Sequence, residues 1–262
     1  MLKIITEDEL KTSKHFRDPY QTEKDYLQDI FLYYLYSKTA NEFVFKGGTA
    51  LSKFYYSDRF SEDLDFTLRR KGSALSYLNG LLTSSMADID YEAEYLIKPE
   101  FNKFGTITAE ITIKGPRYKG RESSLQHLTF EVNTGSELIR KPIVIARNPE
   151  YADARNYVAV VMDKTEIMAE KVRALMSPKR RHRERDLYDI NFLLGKKTEL
   201  DKKLLMKKLA EAGLTFSAEK LNESIGTISP TWKALVPLVQ HRLEDYSKVA
   251  EYVKLELAPL VK

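Results

Sequence analysis

Cysteine is absent from the 262 residues. That absence excludes a disulfide scaffold, thiolate zinc sites, iron–sulfur clusters and a cysteine nucleophile. Histidine is scarce: His15, His127, His182 and His241 stand far apart, which argues against a histidine-built metal centre. Any metal falls to carboxylates, a chemistry that suits magnesium or manganese. Long apolar runs are missing too. The longest spans Ile30 to Tyr36, far short of the roughly 20 residues that cross a bilayer. The stretch from Met1 to Lys14 carries scattered charges in place of a signal-peptide core. A soluble, cytoplasmic protein with no membrane partner is expected. Neither sign of charge dominates, since 42 basic residues meet 38 acidic ones, so net charge by itself names no polyanionic partner.

What remains is ordinary globular material. The chain is 43% hydrophobic and 31% charged, and its length supports one large domain or two modest ones. Local charge is more telling. Lys179, Arg180, Arg181, His182, Arg183 and Arg185 crowd together, broken only by Glu184. Such a run is usually a solvated loop, and it can also hold phosphates.

Periodicity predicts a helix over 21–39, a strand over 42–45, a helix from Ala50 to Tyr56 opened by Thr49, a strand from Asp63 to Leu68 and a helix over 73–86. Strand-like segments follow at 89–97, 106–114, 125–133, 143–146 and 157–161. From Lys164 onward helices are expected at 164–176, 185–195, 199–212, 216–225 and 231–257, the last broken near Pro237. The expected organisation is an α/β (α+β) domain with a mixed sheet over 1–162, then an α-helical domain over 163–262.

The chemistry concentrates in Phe45-Lys-Gly-Gly-Thr-Ala-Leu-Ser-Lys53 and Arg59-Phe-Ser-Glu-Asp-Leu-Asp-Phe66. Gly47 and Gly48 lack side chains that would keep a phosphate away. The helix beginning beside them points free N–H groups and its positive end at the same place. Thr49 adds a hydroxyl. Asp63 and Asp65, two apart on a strand, share one face and can hold one divalent cation or a pair. Glu62 points to the other face and receives no ligand role. A phosphate cradle beside paired carboxylates is apparatus for moving a nucleotidyl group.

These two motifs, in this order and spacing, resemble the DNA polymerase β-type nucleotidyltransferase superfamily, and within it the AbiEii/AbiGii toxin family. The resemblance covers roughly residues 40–195. It implies a third acid on a later strand, for which Glu131 in Leu128-Thr-Phe-Glu-Val132 competes with Glu110, Glu131 being favoured by its cleaner apolar–acid–apolar setting. Ala169-Glu-Lys171 resembles the family's third motif, which implies that Lys171 faces the nucleotide. On pattern alone, Lys171 could equally be a core-helix lysine whose stem snorkels past Ile167, Met168 and Leu175. Arg185-Asp-Leu-Tyr-Asp189 resembles the fourth motif and implies a site role for Asp186, although a first-turn acid also suits a helix start.

The resemblance therefore implies a metal-dependent nucleotidyltransferase that binds an NTP between two lobes. Asp63, Asp65, Lys171 and Asp186 would be catalytic. Asp63, Asp65 and Glu131 would hold Mg2+ or Mn2+. Lys46, Gly47, Gly48, Thr49, Lys53, Ser61 and Arg185 would bind the nucleotide. Lys171→Met is expected to leave the fold intact and slow transfer about a hundredfold. The acceptor implied is an RNA such as a tRNA 3′ end, and the implied partner is a cognate antitoxin. Protein adenylylation and a non-catalytic NTP-binding module are the alternatives. Trp232 reads as core or groove wall, and Tyr33, Tyr55, Tyr56 and Tyr188 are the aromatic rings near the motifs that could stack on a base, most of the tyrosines being expected in the core.

Overall fold

A computed structural model describes residues 5–12, 16–69, 73–89, 91–99, 105–151 and 153–261. The chain separates into two compact units. The first comprises Met1–Phe54, Phe60–Leu138 and Pro142–Val161, and the second Tyr55–Arg59, Ile139–Lys141 and Met162–Lys262. Two short pieces of the N-terminal half thus cluster with the C-terminal helices.

The first unit is built on a seven-stranded mixed sheet. Its strands are β1 (Phe43–Lys46), β2 (Asp63–Leu68), β3 (Ala93–Pro99), β4 (Thr106–Ile113), β5 (Gln126–Asn133), β6 (Ile143–Arg147) and β7 (Tyr157–Val161), in the order β3-β4-β5-β2-β1-β7-β6. β2 runs parallel to β5 and β1 parallel to β7, while the other neighbours are antiparallel. The helices are α1 (Glu7–Thr12), α2 (Pro19–Lys38), α3 (Gly47–Tyr55) and α4 (Ala74–Asp88). α1 precedes the first helix read from periodicity and lies in the charged N-terminal stretch. Asp18 caps α2 by accepting from the Tyr20 N–H at 2.9 Å, and Pro19 starts the helix where its missing N–H costs nothing.

Alternation gives the sheet two unlike faces. Phe43, Phe45, Phe66 and Phe130 point one way and pack ring against ring, with Phe31 of α2 closing on Phe130 at 5.4 Å between centroids. All five are buried, and each such ring removes well over 100 Å² of apolar surface from water. The opposite face, set by the same period of two, receives Lys46, Asp65 and Glu131 as lateral neighbours.

The second unit carries α5 (Lys164–Met176), α6 (Arg183–Gly195), α7 (Lys202–Glu211), α8 (Ala218–Gly226) and α9 (Tyr246–Leu257). Asp163 caps α5, accepting from the Thr165 N–H at 2.9 Å. The helical stretch expected over 231–257 does break near Pro237, and its first part is not α-helical. Ser229–Leu238 is a 3-10 segment holding Pro230 and Pro237, residues that cannot donate to a regular α-ladder. The chain then leaves the helical path until Asp245 caps α9. Trp232 is core: its indole N–H donates to the Glu244 carbonyl at 2.9 Å and its ring lies by Tyr246 and Tyr188.

Candidate active site

α3 starts earlier than the motif suggests, at Gly47 itself. Gly47 has φ +75°, so β1 turns into α3 through a left-handed residue, which costs a side-chain-bearing residue roughly 1–2 kcal/mol. A second constraint is steric. A Cβ placed on Gly47 would lie 2.2 Å from Oδ2 of Asp65. The glycine therefore lets the start of α3 press directly against one of the paired carboxylates. Gly47→Ala is expected to push that carboxylate away, lowering the melting temperature by a few degrees and transfer by far more. A thermal melt and a transfer assay on the same sample check both effects, and an alanine variant of normal activity would separate this contact from function.

Asp63 and Asp65 share the β2 face, Asp63 exposed and Asp65 partly buried. Register sets Lys46 of β1 opposite Asp65 on one side and Glu131 of β5 on the other. Glu110 belongs to the next row, opposite Thr129, and its carboxylate pairs with Lys98 at 2.6 Å. It stands two strands from β2, roughly 9–10 Å by strand spacing. Glu131 instead accepts from the Asn133 amide at 3.1 Å. Among the described residues, no three Asp, Glu or His side chains are already gathered into a cation cage, and it is register that sets Glu131 beside Asp65. Two carboxylates nonetheless fit Mg2+, which keeps several waters and takes one or two protein carboxylates together with substrate phosphates.

Other expected nucleotide ligands have structural work. The Thr49 hydroxyl is buried and donates to the Asp63 carbonyl at 2.5 Å, tying α3 to β2. Lys53 is buried. Its ammonium donates to the Asp25 carbonyl at 3.0 Å, to Oδ1 of Asp25 at 2.7 Å and to Oδ2 of Asp29 at 3.0 Å. Those contacts use all three donors of a lysine and leave none for a phosphate. Arg147, Tyr151 and Tyr157 complete this network around the same two carboxylates. The Ser61 carbonyl accepts from Gln28. Lys46 is buried at the end of β1.

In the second unit, Lys171 on α5 is buried and bonds Oδ1 of Asp186 at 3.2 Å and Oδ2 of Asp189 at 2.7 Å. Two of its three donors are used, so one N–H remains. Burial alone would lower its pKa, but the carboxylates of Asp189 and then Asp186 outweigh burial and leave it above the usual lysine value. Burial alone would raise Asp189, yet Arg59 and Lys171 hold that carboxyl at about 2. Arg180 closes the cluster from outside, its Nε donating to Oδ2 of Asp186 at 2.7 Å. Arg183 is anchored to the Ser177 carbonyl at 2.8 Å. Within the basic run, Lys179 and Arg181 are exposed, and Arg185 lies partly buried in the first turn of α6. Glu62 lies 3.6 Å from Lys24. Of the four tyrosines, Tyr55 donates to the Met162 carbonyl, Tyr188 donates to Asp58 and Tyr33 accepts from Arg155. Tyr56 alone among them is largely exposed.

Sequence reading missed Arg59 and Asp189. Asp189 had a signal, being one turn beyond Asp186 and so on the same helix side. Arg59 had none, because its partner lies 130 positions away.

Known structures share this fold. The crystal structure of JHP933 from Helicobacter pylori is 18% identical, with a TM-score of 0.58, over 94% of this chain and 93% of that one. MenT4, a nucleotidyltransferase toxin from Mycobacterium tuberculosis, is 17% identical with a TM-score of 0.61, over 98% of this chain and 89% of that one. A comparison with curated proteins finds no match. Residues 30–249 match the family model of the nucleotidyl transferase AbiEii toxins of type IV toxin–antitoxin systems, and the chain belongs to that family of nucleotidyltransferases.

Proposed function

We propose that this toxin transfers a nucleoside monophosphate from an NTP to an RNA, at a tRNA 3′ end, using a divalent cation. The observation that carries the reading is the Gly47 backbone set against Asp65, with Asp63 on the same strand face. In the reaction the acceptor hydroxyl oxygen bonds to the α-phosphorus and gives up its proton to solvent, and the bond from that phosphorus to the pyrophosphate oxygen breaks, so that pyrophosphate leaves. Held by Asp63 and Asp65, a magnesium ion would supply Lewis-acid polarisation of the phosphate oxygens. Gly47 and Gly48 offer bare backbone at a helix start, a setting suited to phosphate. Lys171, whose motif implies that it faces the nucleotide, would offer its positive charge and remaining N–H to the charge that accumulates on departing pyrophosphate. Asp186 orients that ammonium. A cognate antitoxin is the expected partner in the cell.

Incubation of the purified protein with each labelled NTP and either total RNA or total protein tests the acceptor. Label is expected at RNA 3′ ends. Label on protein would replace this reading by protein adenylylation, and label on neither would leave an NTP-binding module. The basic run supports RNA binding through Lys179 and Arg181, since Arg180 and Arg183 are bonded within the unit. Replacing Lys179 and Arg181 by alanine should weaken RNA binding uniformly and reduce the salt slope by about one unit per lost phosphate contact. NTP affinity should stay the same. A filter-binding titration at several salt concentrations reads the slope, and an unchanged slope returns these residues to the solvated surface.

A further inference from the structure

Arg59 and Asp189 are buried charges to which the transfer chemistry has so far given no task. Arg59 is 2% exposed and Asp189 is 1% exposed. Arg59 Nε donates to Oδ1 of Asp189 and Nη2 donates to Oδ2, both at 2.8 Å. This two-pronged contact fixes the plane of the carboxylate as well as its charge. Oδ2 of the same carboxylate is also the nearer of the two acceptors of Lys171, at 2.7 Å against 3.2 Å for Asp186. Asp189 is thus gripped on one side by a rigid cation and holds a flexible one on the other.

The grip is itself anchored. Tyr188 donates to Oδ1 of Asp58 at 2.6 Å, the Gln240 N–H donates to the Asp58 carbonyl at 3.1 Å, and Arg59 forms a backbone bridge with Val239. Neutralising Arg59 alone would not require a carboxylate oriented toward α5. A lysine side chain has many rotamers to lose, so an ammonium that must meet a phosphate gains from being held beforehand.

We infer that Asp189, its carboxylate plane set by the Arg59 fork, is a positioning residue for nucleotidyl transfer that keeps the Lys171 ammonium aimed with one N–H left for a phosphate. This inference rests on the reading of Lys171 given above. Among the described residues, the charged groups that act most on Lys171 are Asp189 and Asp186 from α6 and Arg59 from the Tyr55–Arg59 segment. On α7, Lys208 is engaged by Glu166 and Glu170 elsewhere along α5.

The test is the pH dependence of single-turnover transfer in the full chain, with melting temperature measured alongside. Asp189→Asn removes the carboxylate that does most to raise Lys171, leaving burial to lower it. The ammonium should then deprotonate sooner, and the fall in rate at high pH should move down by about one unit or more. Arg59→Lys keeps the charge and loses the fork. It should lower kcat on the order of tenfold at constant NTP KM, and it serves alone if Asp189→Asn does not fold. A lower melting temperature with an unchanged pH profile and unchanged kcat overturns the inference and leaves a structural ion pair. Normal transfer by Lys171→Met, run in parallel, marks failure of the underlying reading instead and removes the inference with it.

Discussion

Asp65→Asn is expected to abolish transfer, a loss of at least a thousandfold in a sensitive assay, or roughly 4 kcal/mol of barrier at 1.36 kcal/mol per decade. The substitution keeps the shape against which Gly47 packs and removes only the charge. Circular dichroism should be unchanged. Melting should fall slightly, because Lys46 opposite loses its lateral carboxylate. Chelation of divalent cations should silence the parent to the same extent, with recovery on adding magnesium. Cells expressing the variant should grow where the parent arrests them. Full activity in a folded Asp65→Asn protein would end the carboxylate mechanism.

Lys171→Met is expected to lose about a hundredfold or more in transfer rate, because a cation–phosphate contact away from water contributes on the order of 3 kcal/mol at the transition state. The structure alters the other half of this expectation. Read from sequence, Lys171 was a stem beside an apolar stripe, and methionine should replace it without harm. In the fold it stands between two buried carboxylates. Removing it leaves Arg59 to balance Asp189 and Arg180 to balance Asp186. Both acids keep a partner, so the cost should stay below the roughly 3–5 kcal/mol that follows when a buried charge is orphaned. A melting temperature several degrees lower is the expected result. Comparing melting with single-turnover rate separates the contributions: a purely structural lysine would give the lower melting temperature at normal turnover.

Much of the local architecture was legible because it depends on neighbours in the chain. A period of two between Asp63 and Leu68 is enough to define β2 and to place both aspartates on one face. Helical spacing from Lys164 to Met176 likewise locates α5. The break expected near Pro237 is there, but the segment before it is 3-10 and the α-helix resumes only at Tyr246, behind the Asp245 cap, because the prolines cannot donate to a regular ladder.

Which charges remain available for a substrate is a different kind of question. Lys53 and Lys171 look equivalent in sequence, each a lysine in a short apolar helix near an acidic motif. Tertiary pairing separates them. Asp25 and Asp29, carried by α2, take every donor of Lys53, while Asp186 and Asp189 leave Lys171 one. Similarly, Glu131 and Glu110 both stand between apolar neighbours, and only strand order puts Glu131 on the strand beside Asp65 and Glu110 one strand further out. Periodicity along a chain reports which face a side chain occupies. The partner that meets it there comes from another strand or helix, at sequence distances where no local pattern carries information.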